Sequence, residues 1–395
     1  MIQNNQFIIK ASTQMERLPN QFFSTLVGKV NGFIHAGHDV INLGQGNPDL
    51  PTPPHIIHSL QKAAENPINH KYPPFSGKNE LKEAICTWYQ NEHGVTLDPK
   101  KEVAILFGSK TGLIQISQIL LNPGDMALVP DPGYPDYWSG IAIAGAQMVP
   151  MALDFTNGFF PDFSKITSSQ CKQSKLMFLN YPSNPTGACA TSSFFDEAIS
   201  FAKKNNIIIA HDFAYGAIGF AGHKPISYLS RPGAKDVGLE FYTLSKTYNM
   251  AGWRIGFALG NQELIRLINE LQDHYFVSLF GGIQEAAITA LTSSQECVRE
   301  LVATYELRRN ALFEELKKLS WNTPVPKGSF FAWVPVPQGY TSSQFAETLL
   351  EKAKVVVAPG IGFGKHGEGY VRIGFLAEEE RIREAVQRIS KLSIF

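Results

Sequence analysis

Lys246 has neighbours that would let it do chemistry. It lies in FYTLSKTYNMAGWRIGF, where a strand is expected to end at Ser245-Lys246 and a turn through Gly252, Arg254 and Gly256 leads into the next strand. A lysine on a strand-end loop can meet an aldehyde if burial strips water from its ammonium. The Ser245 hydroxyl and the Arg254 guanidinium beside it suit a phosphate, although a surface lysine next to a salt-bridging arginine would read the same way. In IIIAHDFAYG, Asp212 follows an apolar run, where an unpaired carboxylate is costly. It needs a cation, such as a protonated ring nitrogen, or else it caps a helix or closes a structural ion pair. Asn184 in LNYPSNPTG offers a donor and an acceptor on a turn fixed by Pro185 and Gly187. In LFGSKTGLIQI, Ser109 and Lys110 open a helix whose free N–H groups favour an anion. Tyr134 in PDPGYPDYW could lie on a flat ring or simply pack its proline-rich turn.

These residues fall at the ends of short apolar runs. Val103–Phe107, Met126–Pro130, Met148–Met151, Leu176–Leu179, Ile207–Ala210, Phe241–Leu244 and Ile255–Leu259 alternate with helical stretches such as Thr191–Asn205, which Thr191 or Ser192 can cap. Such alternation predicts an α/β domain around a mostly parallel seven-stranded sheet, with ligands at the carboxyl ends of its strands. Before it, Asn20 to Ile34 carries an apolar face at helical spacing, stopped by Gly37. After it come a long helical stretch, Gln284 to Leu319, strand-like FFAWVPV, VVVAPG and YVRIGF, and a last amphipathic helix, Glu378 to Leu392. We expect residues 48–283 to form the large domain, and 1–47 with 284–395 a smaller α+β domain.

The 395 residues exceed one compact core, and 35 basic against 35 acidic residues leave no net charge to attract nucleic acid or an anionic membrane. Neither a signal peptide nor a membrane span is expected. Cys86, Cys171, Cys189 and Cys297 show no paired spacing for disulfides or zinc, which suits a reducing cytoplasm. Gly362–Gly367 matches a dinucleotide fingerprint, but a strand rather than a helix follows, so a tight turn is expected. The KTG at 110–112 with Ser169-x-x-Lys172 imitates a serine enzyme in reversed order. The pairs His35/His38 and His55/His58 lack carboxylates and read as helix-surface residues rather than metal ligands.

In order and spacing, NPTG, the Asp-x-x-Tyr after a strand, and Ser-Lys with an arginine eight residues beyond resemble the motifs of class I/II aminotransferases of fold type I, and the resemblance runs from about Leu18 to the C-terminus. It implies pyridoxal 5′-phosphate (PLP) as cofactor and ping-pong transfer of an amino group between an amino acid and a 2-keto acid. By that resemblance Lys246 holds the cofactor aldehyde and moves the proton, and Asp212 pairs with the ring nitrogen. Tyr215 and Asn184 bond its 3′ oxygen, Tyr134 stacks on it, and Ser109, Lys110 (chiefly through backbone N–H), Ser245 and Arg254 hold its phosphate. Tyr72, in KYPPFSGKNELKEAI, matches a tyrosine that reaches the neighbouring subunit's phosphate, implying a homodimer with shared sites. Arg372, in YVRIGF, matches the arginine that grips the substrate carboxylate, and Gly46, in NLGQGNPD, lines the same pocket. The segments NQFFSTLVGKVN, DPGYPDYWSG and TLSKTYNMAGWR are similar to Bacillus-type methionine-salvage aminotransferases, which implies glutamine as donor and 2-keto-4-methylthiobutyrate as acceptor, with Phe22 and Phe23 a candidate wall for the substrate side chain. L,L-diaminopimelate and alanine or aspartate aminotransferases share most of these motifs. A PLP-dependent C–S lyase is the further alternative.

Overall fold

Thr191 caps the helix Ser192–Asn205, accepting from Phe194 N at 3.2 Å, and the apolar run after that helix enters the sheet. This strand–helix repeat builds most of the chain. The computed structural model describes residues 9–19, 22–392 and 394, and for 22–24 the backbone alone.

The strands in chain order are β1 (Ile41–Asn42), β2 (Val103–Leu106), β3 (Met126–Asp131), β4 (Gln147–Ala152), β5 (Ser174–Asn180), β6 (Ile208–Asp212), β7 (Gly238–Thr243), β8 (Gly256–Gly260), β9 (Phe331–Pro335), β10 (Val355–Val356), β11 (Ala358–Pro359) and β12 (Tyr370–Gly374). Seven of them form one sheet in the order β2-β8-β7-β6-β5-β3-β4. Only β8 runs antiparallel to its neighbours, β2 and β7. The other six therefore point the same way, and their carboxyl ends share one edge. Strands β5, β6 and β7 are buried almost throughout, as their unbroken apolar runs require of a sheet covered on both faces. Strands β11, β12 and β9 make a small antiparallel sheet, and β1 pairs in parallel with β10.

Two large cores lie on the faces of the seven-stranded sheet. A third gathers Ile41 and Leu43 with residues from Leu301 to Ile389, and it also takes in Tyr215, Ile218 and Phe220 from just beyond β6. Glycines make the turn at 360–367: a Cβ on Gly360 would fall 1.9 Å from Gly367 O. The dinucleotide-like string is thus a pair of short helical turns leading to β12.

Three local expectations change. The stretch Gln284–Leu319 is two helices, Gly281–Thr292 and Glu296–Lys318. Between them Ser293 turns extended, and the Gln295 amide donates to Ala290 O (3.1 Å) and Ser293 O (2.8 Å), taking up carbonyls at the break. Strand β6 continues through His211 to Asp212, because both polar side chains find buried partners. Strand β7 stops at Thr243, and Ser245-Lys246 lie in a single helical turn, Leu244–Thr247, capped by Thr243 Oγ1 accepting from Ser245 N at 3.2 Å.

Candidate active site

At the shared carboxyl edge of the sheet a cavity of about 600 Å³ opens between the seven-stranded sheet and the elements around β1, β9 and β12. Of the residues that the sequence assigns to the cofactor and the substrate carboxylate, all but Tyr72 line it. Their convergence follows from strand direction: Ser109, Tyr134, Asn184, Asp212 and Lys246 each lie at or just beyond the end of a strand that points to this edge.

The Lys246 amine donates to Gly46 O at 2.8 Å and stands 5.5 Å from the centre of the Phe330 ring. Burial, reinforced by the charges of Arg372 and Arg254, lowers its pKa to about 8. About a tenth of it is therefore the neutral, nucleophilic amine at pH 7, far more than for a free lysine.

Asp212, 5 % exposed, ends β6 with its carboxylate toward the cavity. Tyr137 Oη donates to its Oδ2 at 2.9 Å and Ala214 N to its Oδ1 at 3.3 Å. Burial raises its pKa to about 6 in spite of those donors. Such a carboxylate gains most from a cation brought in by a ligand. Tyr137, about one helical turn past Tyr134 and buried, was missed in the sequence; its signal was a hydroxyl in the first turn of a helix, Asp136–Ala144, whose last four residues are all apolar. Tyr134 meets Tyr137 edge to face at 5.6 Å.

The anion-binding end joins three elements. Helix Ser109–Leu120 begins at Gly108 with no side chain capping it, so its first N–H groups are left for a ligand. Gly108 has φ +77°, and a Cβ there would meet Arg254 Nη2 at 2.5 Å, so the missing side chain lets the guanidinium lie against the loop. Arg254 is steadied by donating to Ala251 O at 2.9 Å, while the Ser245 hydroxyl accepts from Thr243 Oγ1 at 2.9 Å. The Lys110 amine turns instead to Asp136 at 2.9 Å, leaving its backbone N–H at the cavity.

At the other end Arg372, on β12, is 4 % exposed. It donates to Asn184 Oδ1 and to Gly44 O, both at 2.8 Å, and lies 4.0 Å from the Phe331 ring centre. Burial brings its pKa down to about 10. A Cβ on Gly46 would sit 3.4 Å from Phe331 and 3.7 Å from Arg372 Nη2, so this glycine keeps the approach to the arginine open. Tyr215 packs edge-on against Phe330 at 5.1 Å, and burial pushes its hydroxyl pKa up.

The side chains of Phe22 and Phe23 lie outside the described residues. One turn further along the same helix, Phe22–His35, Leu26, Val27 and Val30 face the cavity with Asn31 beside them. Tyr72 is 88 % exposed, away from this chain's own cavity.

The geometry agrees with what the chain is similar to. A family model described as aminotransferase class I and II matches residues 38–389. The L-glutamine–4-(methylsulfanyl)-2-oxobutanoate aminotransferase of Bacillus subtilis is 58 % identical over 96 % of both chains. An LL-diaminopimelate aminotransferase of Syntrophobacter fumaroxidans is 46 % identical over 90 % of this chain and 92 % of its own. A substrate-bound structure of BacF from Bacillus subtilis superposes with a TM-score of 0.95 at 47 % identity, covering 98 % of each chain. Extended over nearly the whole length and joined to the cavity just described, this similarity settles the family: the chain belongs to the class I and II aminotransferases, enzymes that work with PLP.

Proposed function

We propose that this chain moves the amino group of L-glutamine to 4-(methylsulfanyl)-2-oxobutanoate (2-keto-4-methylthiobutyrate), making methionine. One observation carries the reading: the described part of the cavity offers a single cation, Arg372, at its substrate end and an apolar wall of Leu26, Val27, Val30 and Val356 beyond it. Of the other cations, Lys110 is paired with Asp136, Arg254 serves the opposite end, and Lys246 is the reacting amine. A second carboxylate on the side chain, as in oxaloacetate, would find no second cation in the described part of the cavity, whereas an unbranched thioether suits an apolar, adaptable wall. The 58 % identical relative whose name carries these two substrates supports the same reading.

The donor set fits PLP. Ser245, Arg254 and the backbone N–H groups of Ser109 and Lys110 would hold its phosphate, Asp212 its ring nitrogen, Asn184 and Tyr215 its 3′ oxygen, and Tyr134 a ring face, with Lys246 for the aldehyde. When bound, PLP withdraws electrons from the substrate Cα. Asp212, backed by Tyr137, keeps the ring nitrogen protonated. Arg372 and Asn184 orient the substrate through its carboxylate. Lys246, as a neutral amine, takes the proton from Cα and returns one to the substrate or cofactor carbon.

Three further parts belong to this proposal. The enzyme works as a homodimer in which each Tyr72 serves the partner's phosphate site; its exposure, next to exposed Ile68 and Phe75, supports this. Residues 48–283 form the large domain and the rest the small one, with the separate core at Leu301–Ile389 in support. Four free cysteines support a reducing cytoplasm, and among the described residues no helix is long and apolar enough to cross a membrane.

The test is kcat/KM for this keto acid against oxaloacetate, pyruvate and tetrahydrodipicolinate, with glutamine as donor. We expect the thioether acid to lead. A tenfold preference for any of the other three, about 1.4 kcal/mol in transition-state binding, would overturn the substrate and leave the family untouched.

A further inference from the structure

Behind the sheet, on the face of β6 opposite the Asp212 carboxylate, His211 and Glu240 form a fully buried hydrogen-bonded pair, Nδ1 to Oε2 at 2.8 Å, with both side chains 0 % exposed. The two residues are directly opposite in the β6–β7 register. Glu240 is saturated: Tyr89 Oη (2.7 Å) and Ser227 Oγ (2.5 Å) donate to Oε1, and Tyr228 N (2.7 Å) donates to Oε2 alongside the histidine. Burying a polar pair of this kind gains little stability over apolar side chains of the same volume. Its position makes more sense through the other ring nitrogen. His211 Nε2 lies 3.3 Å from Tyr181 N and 3.1 Å from Tyr181 O, so it engages the Tyr181 backbone whichever nitrogen carries the proton.

Tyr181 is the first residue beyond β5, where the turn carrying Asn184 begins. On the cavity side the same turn is held by Asn180, which donates to Asp212 O at 2.8 Å and accepts from Asn184 N at 2.7 Å. Asn184 in turn accepts from Arg372. His211 is thus linked through one backbone residue and one turn to the arginine at the substrate end.

We propose that His211, set in place by Glu240, is a positioning residue that fixes the Tyr181–Asn184 turn and so governs binding of the substrate carboxylate more than that of the cofactor, to which the turn adds only one of several contacts. This rests on the reading above that Arg372 and Asn184 bind that carboxylate. Asparagine and glutamine divide the two jobs of the ring. His211→Asn places an amide near Nδ1, keeping Glu240 partnered but releasing Tyr181; His211→Gln reaches toward the Nε2 position and keeps Tyr181.

The readouts are KM for the amino acid, kcat, PLP affinity by absorbance titration, and calorimetric binding of hexanoate, a carboxylate with no amino group, to the holoenzyme. For His211→Asn we expect KM to rise roughly tenfold, hexanoate binding to weaken in step (about 1.4 kcal/mol), PLP affinity to fall by no more than about threefold through Asn184, and kcat to stay within about twofold. His211→Gln should restore KM even if its thermal midpoint falls. Wild-type KM in His211→Asn would overturn the proposal, as would PLP affinity lost together with kcat. Should the asparagine variant not fold, a raised KM in His211→Gln would overturn it equally. Arg372→Gln separates this claim from the one beneath it. If Arg372→Gln abolishes hexanoate binding while His211→Asn leaves it untouched, the carboxylate site stands and only the role of His211 falls.

Discussion

Lys246 and Asp212 share a cavity wall, and burial moves both toward their neutral forms, the lysine pKa down to about 8 and the aspartate up to about 6. For the lysine this prepares the reaction. The rate at which cofactor-free protein captures PLP should climb from pH 7 to 9 as the amine loses its proton, then level off, as stopped-flow absorbance would show. A flat profile would mean that the amine is not the limiting group. If Lys246 is the base proposed above, Lys246→Ala should lose turnover by several orders of magnitude, since both proton transfers would lack it. For Asp212 the raised pKa is a cost in the cofactor-free protein. The folded state holds a proton between pH 4 and 6 that the unfolded chain releases, so ionisation removes stability as pH rises through about 6. Asp212→Asn should therefore raise the melting temperature of the cofactor-free protein at pH 8 by roughly 2–4 °C, with the gain gone near pH 4, and yet weaken PLP binding. A variant less stable than wild type at pH 8 would contradict this account.

The loop from β2 into helix Ser109–Leu120 shows how an element prepares a site. Its hinge is Gly108 at φ +77°, where an added Cβ would strike the Arg254 guanidinium, the movable end of a side chain. Gly108→Ala should fold, with about 1 kcal/mol of backbone strain, while PLP affinity falls about tenfold because Arg254 is displaced. Gly256 differs: a Cβ there would lie 2.6 Å from Tyr242 O and 2.9 Å from Ser109 N, both main chain, so Gly256→Ala should lower the melting temperature as well. Equilibrium PLP titration and thermal melts of both variants separate the two outcomes. The opposite reading, Gly108→Ala unfolded and Gly256→Ala tolerated, would show that the loop carries the fold rather than the ligand.

At the scale of the whole molecule the site belongs to no single core. Asp212 comes from the seven-stranded sheet, Lys246 and Arg254 from the connection between its strands β7 and β8, and Arg372 from the small antiparallel sheet. Tyr215 bridges them, covalently next to β6 but packed with Phe330 and Phe331. The cavity wall on the N-terminal helix is held by a small cluster of Val30, Leu350 and Val356, so its fit to a side chain depends on how that helix is seated. If Tyr72 completes the partner's phosphate site, sedimentation should give a dimer at micromolar concentration, and Tyr72→Phe should weaken PLP several-fold with no change in melting temperature. A fully active monomer would exclude the shared site.

The chain's own pattern determined the α/β class, the seven strands and the places where chemistry could sit. Each of these is a local property: apolar runs of strand length, a cap such as Thr191, a glycine or proline after a strand end. Strand direction then did the rest, since residues that follow parallel strands must collect on one edge. Which side chains meet there was decided by sheet order, which periodicity does not encode. The order β7-β6-β5-β3 brings Tyr137 onto Asp212 and sets His211 opposite Glu240, pairings across 75 and 29 residues of chain. The packing of the N-terminal helix turned Leu26, Val27 and Val30 toward the cavity, a choice that its sequence, apolar on successive turns, left open between several residues. Ser245-Lys246 became a helical turn rather than a strand end because the Thr243 side chain caps it, and the long helix broke at Ser293 because Gln295 could satisfy the carbonyls exposed there. The side-chain pairings are settled by partners distant in sequence, which meet only once the chain has folded, whereas the last two outcomes rest on caps a few residues away, signals that apolar periodicity does not carry.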